Sequence, residues 1–213
     1  MLKINIKGLE SLKHLKDYLE KNKIRLVFFA ETHGFIEETE LERDILKSAD
    51  FNVILYELLE NKALASKIEQ EEFLSKDDEE NFSIISKNKD LKPTIRLSRE
   101  FNLPIVGCDL KDMGREDNGF LSKEVWTDED NLAEENLMKK REQQQSIKIK
   151  EYLDLNKKIF ASIGLYHLQK DSRLIESLGK EEFIIIYPCL KSGKKLGESM
   201  DFDKKEVYHK MDL

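Results

Sequence analysis

Five short runs of apolar residues recur along the chain, each bounded by polar sequence. They are nearly continuous in Val, Ile, Leu and Phe, which is typical of strands that are buried on both faces of a parallel sheet. We predict strands at 26–30, 53–56, 104–108, 159–163 and 183–187, with a small edge strand around 207–208.

Helix-like segments lie between the apolar runs. The last of them begins at a capping residue, Asp171 or Ser172, and ends at Gly179, which suits a helix C-terminus. Because strands alternate with helices, we predict an α/β fold with a largely parallel central sheet flanked by helices. The predicted helices cover 9–21, 36–48, 130–155 and 171–178, and a single break within 130–155 is left open.

The length of 213 residues suits one α/β domain over 1–213, and no repeat or Pro/Gly-rich linker divides the chain. The segment 61–90 has few large apolar residues and an acid-rich stretch at 76–81. We therefore interpret 61–90 as a helical excursion or a lid. Residues 193–213 are interpreted as a C-terminal tail.

Composition narrows the function classes. Hydrophobic residues make up 39% and charged residues 37% of the chain, so a core and a charged surface are both expected. The net charge of -7 and the pI near 5.4 argue against a nucleic-acid groove, which needs a basic stripe. The first residues hold no apolar signal segment and no run reaches the length of a membrane span, so we expect a cytoplasmic protein without a membrane partner. Cys108 and Cys189 are then expected to be reduced thiols.

Side chains that can do chemistry follow four of the predicted strands. In chain order they are Glu31 with His33, then Glu57, Asp109 and His167. The carboxyl ends of parallel strands share one edge of the sheet, where ligands bind in such folds. Each residue alone could be an ordinary turn or capping residue. Together, with two of the chain's four histidines among them, they indicate a functional site.

Two kinds of chemistry fit these residues. If the chain stays extended, Glu31 and His33 lie on the same side, and a carboxylate beside an imidazole fixes its tautomer and raises its basicity. Two histidines with two or three carboxylates equally suit a divalent ion with open positions for water. The metal ligands would then be Glu31, His33, Glu57 and His167. Both alternatives stay open.

Other candidate residues lie outside this set. Arg141 falls on the apolar side of its predicted helix, where it could reach an acid or an anionic substrate, or simply cover the core with its stem. Arg43 has the same two interpretations. We add Arg43, Asp109 and Tyr166 as candidate substrate-binding residues.

Several common motifs are missing from the chain. There is no Gly-x-Ser-x-Gly, no Gly-rich phosphate loop, no Cys-x-x-Cys and no His-Glu-x-x-His. The sequence therefore does not favour a serine hydrolase of the usual kind, a nucleotide-binding protein or a zinc finger. Cys108 is expected to be a small buried hydrophobic residue rather than a nucleophile.

Five segments resemble, in the correct order, motifs of the superfamily that joins erythromycin esterases, the haem-binding ChaN proteins, and the Tiki and TraB proteins. The similarity covers about 26–178. FFAETHG at 28–34 resembles a Gly-Glu-x-His segment, and YE at 56–57 a second acid. LPIVGCD at 103–109 is similar to a Leu-Pro-Val-x-Gly-x-Asp strand, KRE at 140–142 to an arginine on a long helix, and GLYHL at 164–168 to a second Gly-x-x-His motif.

This resemblance implies a parallel-sheet fold with a polar cleft and two forms of hydrolysis. In the esterases a histidine like His33 activates water without a metal, helped by acids like Glu31 and Glu57. In the Tiki proteins the two Gly-x-x-His motifs, here ending at His33 and His167, belong to a metal-dependent peptidase. Ala30 replaces the first glycine, and the Glu-x-His spacing places this chain nearer ChaN and Tiki than the esterases. Macrolide hydrolysis is therefore not expected.

The preferred hypothesis is a small cytoplasmic hydrolase of an ester, lactone or amide, acting on a small molecule or peptide. His33 would be the general base and Glu31 would orient it, while Glu57 and His167 would bind substrate, oxyanion or metal. Arg141 would neutralise negative charge. The sequence does not establish a cofactor: a divalent metal ion is an open alternative, and haem is the less favoured one.

Two further hypotheses come from other classes. A ChaN-type protein would bind haem or a metal through Tyr166 or His167, although the export signal expected of ChaN is not seen. A non-enzymatic interaction protein on the same scaffold would use the acid-rich 76–81 and the Gln-rich long helix. The oligomeric state is left open by the sequence.

Overall fold

The five apolar runs and the predicted edge strand form one six-stranded sheet in which neighbouring strands run parallel. The structure is a computed structural model that describes residues 12–31, 36–57, 93–110, 127–189 and 206–210. The strands are β1 (Leu26–Glu31), β2 (Val53–Tyr56), β3 (Ile105–Gly107), β4 (Ile159–Gly164), β5 (Phe183–Cys189) and β6 (Glu206–Lys210).

Helices connect and cover these strands. A 3₁₀ turn at Leu12–His14 leads into the first helix, and a second turn at Leu165–Leu168 follows β4. The Ser172 hydroxyl accepts the Ile175 N–H and caps the last helix, which ends at Gly179 with φ 61°. The helices are α1 (Leu15–Lys21), α2 (Ile36–Ser48), α3 (Pro93–Phe101), α4 (Asp128–Asp154) and α5 (Arg173–Leu178).

The strand order β3-β2-β4-β1-β5-β6 creates a switch point in the middle of the sheet. After β1 the chain passes through α2 to β2 on one side, whereas after β4 it passes through α5 to β5 on the other. Because α2 and α5 pack on opposite faces of the sheet, the carboxyl ends of β1 and β4 lie at this switch point. Ligands of open α/β sheets bind at such switch points.

Alternating side chains of each strand enter two separate apolar layers. Val27 and Phe29 of β1 pack in the layer that contains α1, α2 and α3. Phe28 and Ala30 pack in the opposite layer, with α4 and α5. A side chain at the end of a strand is therefore directed to one of these two faces by its position in the alternation.

The long helix α4 is unbroken and extends beyond the sheet. Its 27 residues span about 40 Å, about twice the length of a six-residue strand. Its buried side chains begin at Arg141, so 128–140 projects past the carboxyl edge of the sheet. No helix in the described part of the chain is long and apolar enough to cross a membrane.

The predicted α/β fold with a parallel sheet is confirmed, and the five predicted strands end within two residues of the observed ones. The edge strand is confirmed as β6, although α3 was not predicted. That 1–213 form one domain stays a prediction. The segment 61–90 and the tail, apart from β6, lie outside the described residues.

Candidate functional site

The candidate residues divide between the two faces of the sheet at its carboxyl edge. Glu31 follows Phe29 in the alternation of β1 and lies on the α2 side. Glu57 follows Leu55 of β2 and lies on the α4 side. The two acids flank one backbone position, because Glu31 is paired with Gly164 of β4 and the Glu57 carboxylate accepts the Gly164 N–H.

Arg141 of α4 joins the ends of β2 and β3. Its Nη2 donates to Glu57 Oε1 at 2.8 Å and to Asp109 Oδ2 at 2.5 Å, and its Nε donates to the same Asp109 oxygen at 2.9 Å. The side chains of Arg141, Glu57 and Asp109 are 7%, 4% and 3% exposed. The charges of this group are therefore satisfied internally and not by water.

His167 continues this group from the turn after β4. Its Nε2 lies 3.0 Å from Glu57 Oε1 and its Nδ1 lies 3.3 Å from Glu142 Oε1. The other oxygen of Glu142 accepts the Arg173 N–H at the start of α5. We call the six residues Glu57, Asp109, Arg141, Glu142, Gln145 and His167 the α4-side network; Gln145 belongs to it because its Nε2 donates to Asp109 at 3.2 Å.

The charges of the α4-side network fix its protonation state. Burial alone would raise the pKa of Glu57, but the charge and hydrogen bond of His167, with Arg141 and the Gly164 N–H, lower it to about 2. Burial alone would lower the pKa of His167, but Glu57 and the Glu142 hydrogen bond raise it to about 9. At neutral pH His167 is therefore an imidazolium whose two N–H groups face carboxylates.

A second, smaller group lies on the α2 side. The Ser162 hydroxyl of β4 donates to Glu42 Oε1 of α2 at 2.6 Å and lies 3.4 Å from Glu31 Oε2. Ser162 and Glu42 are 0% and 2% exposed, whereas Glu31 is half-buried at the end of β1. We call Glu31, Glu42 and Ser162 the α2-side cluster. His33, two residues beyond Glu31, lies outside the described residues.

The donor atoms of the α4-side network suit a guanidinium better than a divalent ion. One oxygen each of Glu57 and Asp109 and one nitrogen of His167 lie within 4.8 Å of one another, as metal ligands would. However, Arg141 already supplies the cation to both carboxylates. The metal role predicted for Glu57 with His167 therefore stays a prediction, which the cation already supplied by Arg141 makes less favourable.

Tyr166 differs from its neighbour His167 in exposure. Tyr166 is 65% exposed, whereas His167 is 2% exposed. Tyr166 lines a cavity of about 550 Å³ between the projecting half of α4 and the start of α5. Glu142 also lines this cavity, so the cavity borders the α4-side network.

The other predicted residues have clear positions. Arg43 of α2 makes an ion pair with Glu100 of α3, with its Nε 2.9 Å from a carboxylate oxygen. Cys108 is fully buried, and burial raises the pKa of its thiol, as expected for a buried hydrophobic residue. The substrate-binding roles of Arg43, Asp109 and Tyr166 stay predictions.

Four residues of the two groups were missed by sequence reasoning. Glu42 and Glu142 lie in helices rich in charged residues, where a glutamate usually faces water. Glu142 directly follows Arg141, and this adjacency is the one signal that could have indicated it. Gln145 ends a run of three glutamines and carries no signal of its own. Ser162 lies inside the apolar run of β4, and a serine in a buried strand calls for a polar partner.

The fold and the site together define an α/β protein with a parallel sheet and a charged centre at the switch point. A structure of ChaN from Campylobacter jejuni with cofacial haem binding matches this chain with a TM-score of 0.53 and 15% identity, over 87% of this chain and 88% of that chain. The type III effector HopBA1 matches with a TM-score of 0.50 and 11% identity, over 88% of each chain. No protein-family model and no curated protein matches the sequence.

At these identities the two likenesses establish the fold. The parallel-sheet fold that the motif resemblance implies is thus confirmed by an independent comparison of structures. The activity and the ligand of this chain are a separate question.

Proposed function

We propose that this chain is a hydrolase that cleaves an ester, lactone or amide at the carboxyl ends of β1 and β4. The observation that carries the proposal is the position of Glu31, which is half-buried at the switch point and held beside Ser162. Ligands of open α/β sheets bind at this edge. A carboxylate there can take part in proton transfer during the reaction. His33 follows two residues later in the chain.

In this proposal His33 accepts a proton from the attacking water and Glu31 orients the imidazole. The α4-side network holds together the ends of β2 and β3 and contacts the end of β4 through Gly164. Because Arg141 is neutralised by Glu57 and Asp109, its role is to hold these ends together rather than to receive an anionic substrate. The substrate would be a small molecule or a peptide.

The test is a substrate screen with p-nitrophenyl esters, an aromatic lactone and an aminoacyl anilide, using the wild type, His33→Ala and His14→Ala. We expect His33→Ala to lower kcat by roughly 10²–10⁴-fold, the contribution of a well-placed base. His14, which is exposed at the start of α1, is the matched control and should tolerate the change. Full turnover in His33→Ala, or no hydrolysis by the wild type, would contradict the proposal.

A second candidate function is haem binding, supported by the exposed Tyr166 on the cavity and by the fold likeness to the haem-bound ChaN. A tyrosine can ligate haem iron, and Lys139 and Arg173 line the same cavity and could face the propionates. The fit is partial, because several carboxylates also line the cavity. The structure favours Tyr166 over His167 as the ligand, since both nitrogens of His167 face carboxylates.

Haem titration separates the two candidate functions. Binding at Tyr166 predicts a Soret band in the wild type and in His167→Gln, and its loss in Tyr166→Phe. No Soret shift on adding haem to the wild type would remove this second function and leave the hydrolase proposal unaffected.

A further inference from the structure

Ser162 is a polar exception in an apolar layer. It is fully buried in β4, where its register neighbours are Phe29 of β1 and Tyr56 of β2. The preceding residue on the same face is Phe160. An alanine at 162 would suit this layer, so packing does not account for the hydroxyl.

Glu42 is a second buried polar residue at this position, and it carries a carboxylate. It comes from α2, is 2% exposed, and receives the Ser162 hydroxyl hydrogen bond at 2.6 Å. Moving a carboxylate from water into the interior costs several kcal/mol, and well-packed apolar residues often replace such buried polar groups without loss of stability. Stability alone therefore does not explain why Glu42 and Ser162 meet inside the layer.

Glu31, the third member of the α2-side cluster, accounts for the meeting of Glu42 and Ser162. Ser162 Oγ lies 3.4 Å from Glu31 Oε2, so the same hydroxyl contacts the half-buried acid at the switch point. The hydroxyl donates its one proton to Glu42, so the Ser162 oxygen limits how closely the Glu31 carboxylate can approach by contact and not by a second donated hydrogen bond. Both contacts come from rigid elements, a central strand and a helix packed on it, as support of a reacting group requires.

We infer that Ser162 and Glu42 are positioning residues that hold the Glu31 carboxylate in place for the hydrolysis proposed above, on which this inference rests. Neither residue lies in the motifs that suggested the site. They act through Glu31 and make no contact with substrate. The Glu31–Ser162–Glu42 arrangement thus adds a supporting layer on the α2 side, opposite the α4-side network.

The test compares Ser162→Ala with the double variant Ser162→Ala/Glu42→Leu, on whichever p-nitrophenyl ester, lactone or anilide the wild type hydrolyses. We expect Ser162→Ala to lower kcat by about 10²-fold through misplacement of Glu31, with KM unchanged. It should also lower Tm, because Glu42 loses a hydrogen bond. The double variant should regain the wild-type Tm without regaining kcat.

Ser98→Ala is the matched control. Ser98 is a buried serine of the same layer, on α3, whose hydroxyl donates to the Leu103 carbonyl at 2.6 Å. Its loss should lower Tm and leave kcat unchanged.

Two results would overturn the inference alone, given an active wild type: wild-type kcat in Ser162→Ala, or a kcat that returns together with Tm in the double variant. A wild type without hydrolytic activity would instead overturn the proposed function, and the inference with it.

Discussion

His167 shows how a residue's surroundings determine what it can do. It lies between Glu57 and Glu142, so its charged form is stabilised by two carboxylates in a buried place. A histidine held in this state is a poor base and a poor metal ligand. The proposal therefore assigns the base to His33 and a positioning role to His167.

The pH dependence of stability tests this protonation state. The pKa of His167 is raised to about 9 in the folded protein, so its contribution to stability is complete below its ordinary pKa near 6.5 and is lost as pH rises through 9. We expect the free energy of unfolding of the wild type, measured in urea, to fall between pH 7 and 10 relative to His167→Gln. A constant difference between the two proteins would contradict the assignment.

Arg141 is expected to be the residue whose loss is most costly. Arg141→Met leaves Glu57 and Asp109 buried without their cation, which should cost roughly 3–5 kcal/mol and lower Tm by roughly 10 °C. Arg141→Lys keeps the charge but cannot donate to both acids in the same way, so an intermediate Tm is expected. A thermal melt showing Arg141→Met to be as stable as the wild type would rule out this account of the network.

At the scale of elements, α4 has two parts that differ in how they are stabilised. From Arg141 onward it is packed on the sheet, and its C-terminal end is held by Arg25, whose Nη1 donates to the Leu153 carbonyl at 2.6 Å. The part 128–140 has no buried side chain, and its start is held by a capping box in which Thr127 Oγ1 accepts the Asp130 N–H and Asp130 accepts the Thr127 N–H.

Thr127→Ala should therefore act locally. Loss of the cap costs about 1 kcal/mol, and no side chain of 128–140 is buried. Hydrogen exchange of these amides should become faster, while the amides of 141–154 stay protected. Thr127→Ser keeps the cap and should behave like the wild type. An unchanged exchange pattern in Thr127→Ala would show that other contacts hold this part of α4.

The elements were more predictable than the site. Continuous apolar runs define strands buried on both faces, so β1, β2 and β4 could be predicted from hydrophobicity alone. Helical periodicity placed Arg141 on the apolar side of its helix and left open whether it reaches an acid or covers the core; it contacts Glu57 and Asp109. Glu142 and Glu42 could not be predicted, because a glutamate in a helix carries the same local signal whether it faces water or a buried serine.

The whole molecule divides its polar residues between two faces of one sheet edge. The sequence predicted that the strand ends would share that edge, which the strand order confirms. The sequence could not predict which polar residues lie on which face. Glu31 and Glu57 each follow the alternation of their strand, but the sequence does not tell which helices cover each face.

This division makes a prediction about metal ions. Because Arg141 occupies the cation position of the α4-side network, Mn²⁺, Co²⁺, Zn²⁺ or Mg²⁺ should give no rise in Tm that depends on His167. Ion binding at 100 times its Kd would add about 2.7 kcal/mol, a shift of several degrees that is easily measured. A rise in metal-stripped wild type that disappears in His167→Gln would contradict this prediction.

The most direct test of the central claim is the turnover of Glu31→Gln beside that of the wild type, on the substrate identified by the screen. Glu31 is half-buried at the switch point, so we predict a fall in kcat of roughly 10²-fold or more with little change in Tm. Glu40→Gln, at an exposed position of α2, should keep wild-type turnover. Wild-type turnover in Glu31→Gln would contradict the account, because the reaction would then not take place at the end of β1.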